Sequence, residues 1–98
     1  MRYGLKESTI SAMQEVFGKF PKVERVLLYG SRAKGNFRPG SDIDLVLVAP
    51  ELSLGQLHHI EMELDDLLLP YQLDIALYHH IDNRELLEHI ARVGIDFV

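Results

Sequence analysis

The chain has 98 residues, no cysteine and a formal net charge of −5 at pH 7. Its length suffices for one hydrophobic core but not for a separate substrate-recognition lobe, and the lack of cysteine excludes disulfides and thiolate chemistry. The negative charge argues against nonspecific binding to nucleic acid, and the sequence, with no signal peptide and no apolar run of membrane-spanning length, predicts a soluble cytoplasmic protein.

The first half of the chain predicts one helix and two strands. A helix is expected over Lys6–Lys19, because apolar residues recur there at helical spacing before Pro21 ends the pattern. A short apolar strand, Val26–Tyr29, then stops abruptly at Gly30. Strand character resumes over Ile43–Val48, so a turn and a loop separate two neighbouring strands.

The turn and the second strand carry residue types suited to phosphate and metal chemistry. Gly30 lacks a Cβ atom and lets an anion approach the backbone, while Ser31 offers a hydroxyl and an N–H group at the start of a short helical turn. Asp42 and Asp44 are two residues apart, so a strand places both side chains on one face with Cα atoms about 7 Å apart. Such hard oxygen ligands favour Mg²⁺.

Two further helices are predicted in the second half. One covers Leu54–Leu69, where Ser53 and Gln56 have the spacing of a capping box, and Asp82 and Glu85 repeat that spacing before a last helix. The crossover helix has an acidic face, which is expected to be solvated, with docking of a basic partner as the alternative. The residues of this face are Glu61, Glu63, Asp65 and Asp66.

A third carboxylate lies in the strand predicted over Gln72–Tyr78. Apolar residues alternate there with period two, which places Asp74 on the opposite face. If this strand lies beside the one that carries Asp44, three carboxylates meet, and two metal ions about 4 Å apart could clamp the attacking and leaving oxygens of an in-line displacement. The alternative is an Asp74 that simply faces solvent at a sheet edge.

The shared site also constrains the topology. It uses the end of the first strand and the beginning of the second, so we expect these strands to be antiparallel. The strand with Asp74 must present its beginning to the same place, so it is expected to run parallel to the second strand, with helix Leu54–Leu69 as the crossover. The predicted fold is α+β, a small mixed sheet with helices packed on it.

The combined motif resembles the signature of the DNA polymerase beta-type nucleotidyltransferase superfamily, in its minimal nucleotidyltransferase (MNT) branch. The resemblance covers nearly the whole chain and implies one nucleotidyltransferase domain over residues 1–98. The motif consists of Gly30-Ser31-Arg32-Ala33-Lys34-Gly35, Ser41-Asp42-Ile43-Asp44-Leu45 and Asp74.

The resemblance implies a role for each motif residue. Gly30 and Ser31 would bind the triphosphate of ATP, Asp42 and Asp44 would hold Mg²⁺, and Asp74 would join the catalytic metal and help to deprotonate the acceptor. Members of this branch are often encoded with a small helical HEPN-domain partner. Some act as antitoxins that transfer AMP from ATP onto that partner, so the resemblance suggests the same role here.

Other phosphate motifs fit less well, and the loop adds a cationic candidate. A Walker A motif is excluded because Asn36 and Phe37 stand where Lys and Ser/Thr are needed, and the Asp-x-Asp glycosyltransferases need a much longer chain. Arg32 is the preferred phosphate contact among the loop cations because it directly follows Ser31, with a solvated loop as the alternative.

Two functions are compatible with the sequence. The first is a magnesium-dependent nucleotidyltransferase that passes AMP to a hydroxyl group on a partner protein and releases pyrophosphate. The second is a nucleotide-binding antitoxin that neutralises a HEPN-type toxin by direct binding. In either case a second subunit or a partner is expected to complete the pocket.

Overall fold

The computed structural model describes residues 1–97. Its helices and strands alternate along the chain, and a 3-10 turn at Tyr78–His80 follows the third strand. The helices are α1 Glu7–Gly18, α2 Gly30–Lys34, α3 Leu54–Asp65 and α4 Arg84–Val93. The strands are β1 Arg25–Tyr29, β2 Ile43–Val48, β3 Leu73–Leu77 and β4 Ile95–Asp96.

The four strands form one mixed sheet in the order β3-β2-β1-β4. Strand β1 is antiparallel to β2 and to β4, whereas β2 and β3 are parallel, with α3 as the connection between them. The predicted α+β fold and the predicted strand directions are thereby confirmed. Strand β4 was not predicted, because two residues are too short to show a period-two pattern.

The sheet is covered on both faces, because successive strand side chains point to opposite sides. One face packs against α1 and α3 to form the main core, and the other packs against α4 to form a smaller one. Residues of the smaller core come from the three longer strands and from α4, and they include Tyr29, Val46, Ile90 and Leu86. Helix α4 therefore covers the face of the sheet toward which Asp44 and Asp74 point.

The end of α3 and the cap of α4 differ from the sequence prediction, and α1 is one residue shorter at each end. Helix α3 ends at Asp65 instead of Leu69, because the chain turns at Leu68, whose φ is +53°. The predicted capping box of α3 is present, since the Ser53 hydroxyl accepts a hydrogen bond from the Gln56 N–H at 3.1 Å. Helix α4 is capped by Asn83 and not by Asp82.

The N-cap of α4 is Asn83, one residue after the predicted Asp82. The Asn83 Oδ1 atom accepts a hydrogen bond from the Leu86 N–H at 3.1 Å, which satisfies one of the free N–H groups of the first turn. Asp and Asn are both good N-cap residues, so the sequence alone does not distinguish adjacent candidates. None of the helices in residues 1–97 has the length and apolar character needed to cross a membrane.

Candidate active site

The sheet brings two of the three carboxylates predicted to form the site into register. Asp44 of β2 lies directly opposite Asp74 of β3 in the parallel register, and Asp42 precedes the start of β2 by one residue. Asp42 and Asp74 are exposed to solvent, whereas Asp44 is half-buried. Asp74 thus lies on an edge strand and is exposed, yet it also faces the same space as Asp44.

Asp44 is the member of this group whose ionised form is disfavoured by its surroundings. Burial raises the pKa of Asp44, and repulsion from Asp74 and then from Asp42 raises it further, while His89 acts in the opposite direction. A raised pKa of a carboxyl means that its ionised form is unfavourable in the folded protein. The site therefore concentrates negative charge that a bound cation would relieve.

Tyr29 extends the row of polar groups across the sheet. It ends β1 directly opposite Asp44, so that Tyr29, Asp44 and Asp74 occupy equivalent positions on three adjacent strands. Burial, followed by the negative charges of Asp74 and Asp44, raises the pKa of Tyr29 to about 12. The phenol therefore keeps its proton even well above neutral pH and offers a neutral hydrogen-bonding group.

The turn that begins α2 depends on Gly30 for two reasons. Its φ is +73°, a left-handed conformation that side chains with a Cβ atom rarely adopt. In addition, a Cβ atom at this position would collide with the carboxylate of Asp44. The backbone of the predicted phosphate turn and the predicted metal ligand are thus in close contact, with Ser31 following as the second residue of α2.

His89 is a site residue that the sequence analysis did not single out. It projects from α4, and its Nε2 atom accepts a hydrogen bond from the Gly30 N–H at 3.1 Å. Its ring also meets the Tyr29 ring edge to face, with a centroid distance of 6.1 Å and an interplanar angle of 80°. One signal was available, because His89 lies three residues after Leu86 on the apolar side of the helix.

Arg32 is placed differently from the expectation that it contacts phosphate. Its side chain is buried, with 3% of its surface exposed. Its Nε and Nη2 atoms donate to the Ser41 carbonyl at 3.2 and 2.7 Å, and Nη1 donates to the Tyr3 carbonyl at 2.7 Å. The guanidinium also lies 5.2 Å from the Phe37 ring centroid and 4.8 Å from that of Tyr71. Arg32 therefore stabilises the loop that leads to Asp42.

Replacing Arg32 by Lys should test this role. An ammonium group cannot reproduce the forked contacts to two carbonyl groups, so we expect a loss of about 2–4 kcal/mol in the free energy of unfolding. The measurement is urea denaturation followed by circular dichroism. Arg38→Lys is the matched control, because the Arg38 side chain is exposed and the change should stay within about 0.5 kcal/mol. Equal stability of both variants would contradict the assignment.

The donor set fits a hard divalent cation. The candidate ligands Asp42, Asp44 and Asp74 offer only carboxylate oxygens, and Mg²⁺ is usually held by one or two such groups together with water and substrate phosphates. In the described part of the chain, however, no group of three or more histidine, cysteine or acidic side chains is arranged so that it could hold a metal ion. An open arrangement is expected of carboxylates that repel one another, as the raised pKa of Asp44 indicates.

A groove beside this region is not the chemical site. It has a volume of about 420 Å³ and lies between the end of α3 and the start of β3, lined in part by Leu64, Leu68 and Leu73. Leu73 points to the main-core face of the sheet, opposite to the face of Asp74. The chemistry of the side chains, rather than the size of a cavity, therefore locates the site.

Comparison with known proteins identifies the family. The family described as "Polymerase beta, Nucleotidyltransferase" matches residues 11–97 of this chain. A search of curated protein sequences finds no match.

Similar folds occur in several solved toxin–antitoxin structures. A chain from a toxin–antitoxin complex with AMP-PNP is 21% identical and superposes with a TM-score of 0.71, over 96% of this chain and 73% of that one. A chain from the complex between the tri-AMPylated HEPN toxin of Shewanella oneidensis and an MNT antitoxin is 16% identical to this one. Its TM-score is 0.68, over 96% of this chain and 72% of that one. The toxin–antitoxin MntA-HepT gives 16% identity and a TM-score of 0.68, over 95% and 72%. These structures share the fold, and the chain belongs to the polymerase beta nucleotidyltransferase family.

Proposed function

We propose that this protein is a magnesium-dependent nucleotidyltransferase that transfers AMP from ATP to a hydroxyl group on a small helical HEPN-type partner protein. The observation that carries the proposal is the register that sets Asp44 against Asp74, beside the Gly30 turn. Similar folds in a toxin–antitoxin complex with AMP-PNP and in one with a tri-AMPylated HEPN toxin support the choice of nucleotide and partner.

The proposed reaction is an in-line displacement at the α-phosphorus of ATP. The acceptor hydroxyl oxygen forms a bond to the α-phosphorus, and the bond from that phosphorus to the oxygen bridging to the β-phosphate breaks. Pyrophosphate leaves with the electron pair, and the hydroxyl proton passes to the Asp74 carboxylate. Asp74 suits this role because it is exposed on an edge strand, where an acceptor can approach it.

The remaining motif residues bind and orient the nucleotide. Gly30 and Ser31 form the turn assigned to the triphosphate, and Asp42 and Asp44 are the proposed ligands of Mg²⁺. Bound Mg²⁺ would neutralise the triphosphate and stabilise the charge that develops on the leaving pyrophosphate. Most of the rate enhancement would therefore come from alignment and charge compensation.

The exposure of Asp42 and Asp74 also favours a second candidate function. A partner docked over this edge of the sheet would complete the site. In the same complex, however, the docked surface of the partner would be covered by this protein. The protein could then act as a non-catalytic, nucleotide-binding antitoxin that neutralises a HEPN-type toxin by occlusion. The two functions predict different behaviour when the acidic residues are replaced without loss of the complex.

The decisive experiment is transfer of label from α-³²P-ATP to a candidate HEPN-type partner in the presence of Mg²⁺. We expect a labelled partner with the wild-type protein and with Asp82→Asn, whose side chain is exposed outside the site. We expect at least a hundredfold slower labelling with Asp74→Asn, because a general base typically contributes 10²–10⁴-fold.

The outcomes separate the two candidates. If no acceptor is labelled although the partner binds and is neutralised, occlusion is the function and the transferase proposal is wrong. If neutralisation disappears in an Asp42→Asn/Asp44→Asn variant while the complex persists, chemistry is required.

A further inference from the structure

The hydrogen bond between His89 and Gly30 links α4 to the turn assigned to the triphosphate. The two residues are 59 positions apart, and the Gly30 N–H donates to the His89 Nε2 atom at 3.1 Å. In this hydrogen bond the Nε2 atom is the acceptor, so the lone pair of Nε2 points to the Gly30 N–H. The edge-to-face contact with Tyr29 fixes the orientation of the ring.

The turn needs such a support because its backbone has few alternatives. The first N–H groups of a helix have no partner within the helix, and Gly30 is the first residue of α2. Glycine also has the greatest conformational freedom of all residues, so its left-handed φ is not maintained by its own preferences. On one side the Asp44 carboxylate limits the backbone, and on the other the His89 ring holds its N–H group.

We propose that His89 is a positioning residue that fixes the Gly30–Ser31 turn for nucleotide binding. The proposal rests on the proposed function and refines it. Because the Gly30 N–H is already bound to His89, Gly30 contributes through its conformation, and the direct contacts to the triphosphate fall to the hydroxyl and N–H of Ser31. His89 acts through the turn and does not take part in the chemical step.

Two variants of similar size separate the hydrogen bond from the bulk of the ring. The amide oxygen of Gln reaches about as far as the Nε2 atom of His, whereas the amide oxygen of Asn reaches only as far as Nδ1. His89→Gln should therefore retain the bond to the Gly30 N–H, and His89→Asn should lose it. Thermal unfolding of both variants checks that each is folded, and His89→Leu provides a second variant without an acceptor.

The kinetic test compares the change in KM with the change in kcat for each His89 variant. In His89→Asn we expect the KM for Mg-ATP to rise about five- to tenfold, the size of one lost hydrogen bond, with kcat changed by less than about twofold. His89→Gln should restore the KM to within about twofold of wild type. A large fall in kcat with unchanged KM would overturn the positioning role.

A second readout does not depend on catalysis. Amide hydrogen exchange and the ¹H–¹⁵N shift of Gly30, measured by NMR in the free protein, should report loss of the bond in His89→Asn and its retention in His89→Gln. Unchanged exchange of Gly30 in His89→Asn would refute the hydrogen bond.

Failure of this proposal is distinguishable from failure of the proposed function. If the wild-type protein transfers no AMP, calorimetric binding of Mg-ATP without the partner replaces KM, and the same five- to tenfold weakening is expected for His89→Asn. If Gly30 exchange changes but neither KM nor nucleotide affinity does, His89 supports the fold alone and the proposal is wrong.

Discussion

Asp44→Asn is expected to abolish transfer while making the free protein more stable. Loss of a proposed metal ligand should slow AMP transfer about a thousandfold or more, which corresponds to roughly 4 kcal/mol of transition-state stabilisation. The same change removes a half-buried charge that Asp74 and Asp42 repel. The midpoint of thermal unfolding, measured with a chelator present, should therefore rise by a few degrees.

The pH dependence of stability gives an independent check of this electrostatic argument. The pKa of Asp44 is raised above its ordinary value of 3.8 in the folded protein, so the folded state binds the proton more tightly than the unfolded state. Its contribution to stability is present at low pH and is lost as the pH rises through the folded pKa. Glu7 and Glu63, whose pKa values are lowered, act in the opposite direction, so the relevant quantity is the difference between wild type and Asp44→Asn.

The matched control for both measurements is Asp82→Asn. This exposed carboxyl should alter stability by no more than about 0.5 kcal/mol and leave transfer unchanged. If Asp44→Asn were active, the assignment of the metal site would be wrong. If it were inactive and also less stable with the chelator present, the charge-repulsion argument would fail although the catalytic assignment stands.

Gly30→Ala is expected to damage both folding and transfer. A left-handed backbone costs a residue with a Cβ atom about 1–2 kcal/mol, and the added methyl group must also displace the Asp44 carboxylate. A shift of about 1 Å in a catalytic group can cost a hundredfold in rate, so we expect at least that loss in kcat/KM. Denaturant unfolding and the labelling assay measure the two effects.

Substitutions at two other glycines distinguish the effect of backbone strain from that of the collision with Asp44. Gly35 also has a left-handed φ, +88°, but a Cβ atom there meets nothing within 4 Å. Gly35→Ala should therefore lose about 1–2 kcal/mol of stability and keep nearly full activity. Gly18 in α1 has neither restriction, and Gly18→Ala should stabilise the protein by about 0.5–1 kcal/mol. If Gly35→Ala reduced transfer as much as Gly30→Ala, the close approach to Asp44 would not explain the defect.

The parts of the fold that the sequence predicts well are those with local signals. Strand β2 has the predicted bounds, Ile43–Val48, because an apolar run there is bordered by turn residues. Helix α1 differs from its prediction by one residue at each end. Helix α3 was predicted too long because Leu67, Leu68 and Leu69 continue its apolar pattern, although the chain has already turned there.

The parts that could not be predicted depend on contacts between distant segments. Arg32 was expected to contact phosphate because it follows Ser31. Its partners are the backbone carbonyls of Ser41 and Tyr3. Every residue has a backbone carbonyl, so the sequence does not indicate which of them an arginine will bind. The bond from Gly30 to His89 spans two elements in the same way. By contrast, the pairing of Asp44 with Asp74 was predictable, since the expected common site required their strands to be parallel.

The hydrogen bonds of Arg32 connect two segments that are distant in the sequence. The Nη1 atom donates to the Tyr3 carbonyl and the Nη2 atom donates to the carbonyl of Ser41, the residue before Asp42, so the backbone around Tyr3 is linked to the loop that leads to Asp42. Tyr3 and Gly4 both adopt left-handed backbone angles there, a conformation that is uncommon for a residue with a Cβ atom such as Tyr3. A change of backbone conformation at Tyr3 would therefore be transmitted through the Arg32 guanidinium to the residue that precedes Asp42.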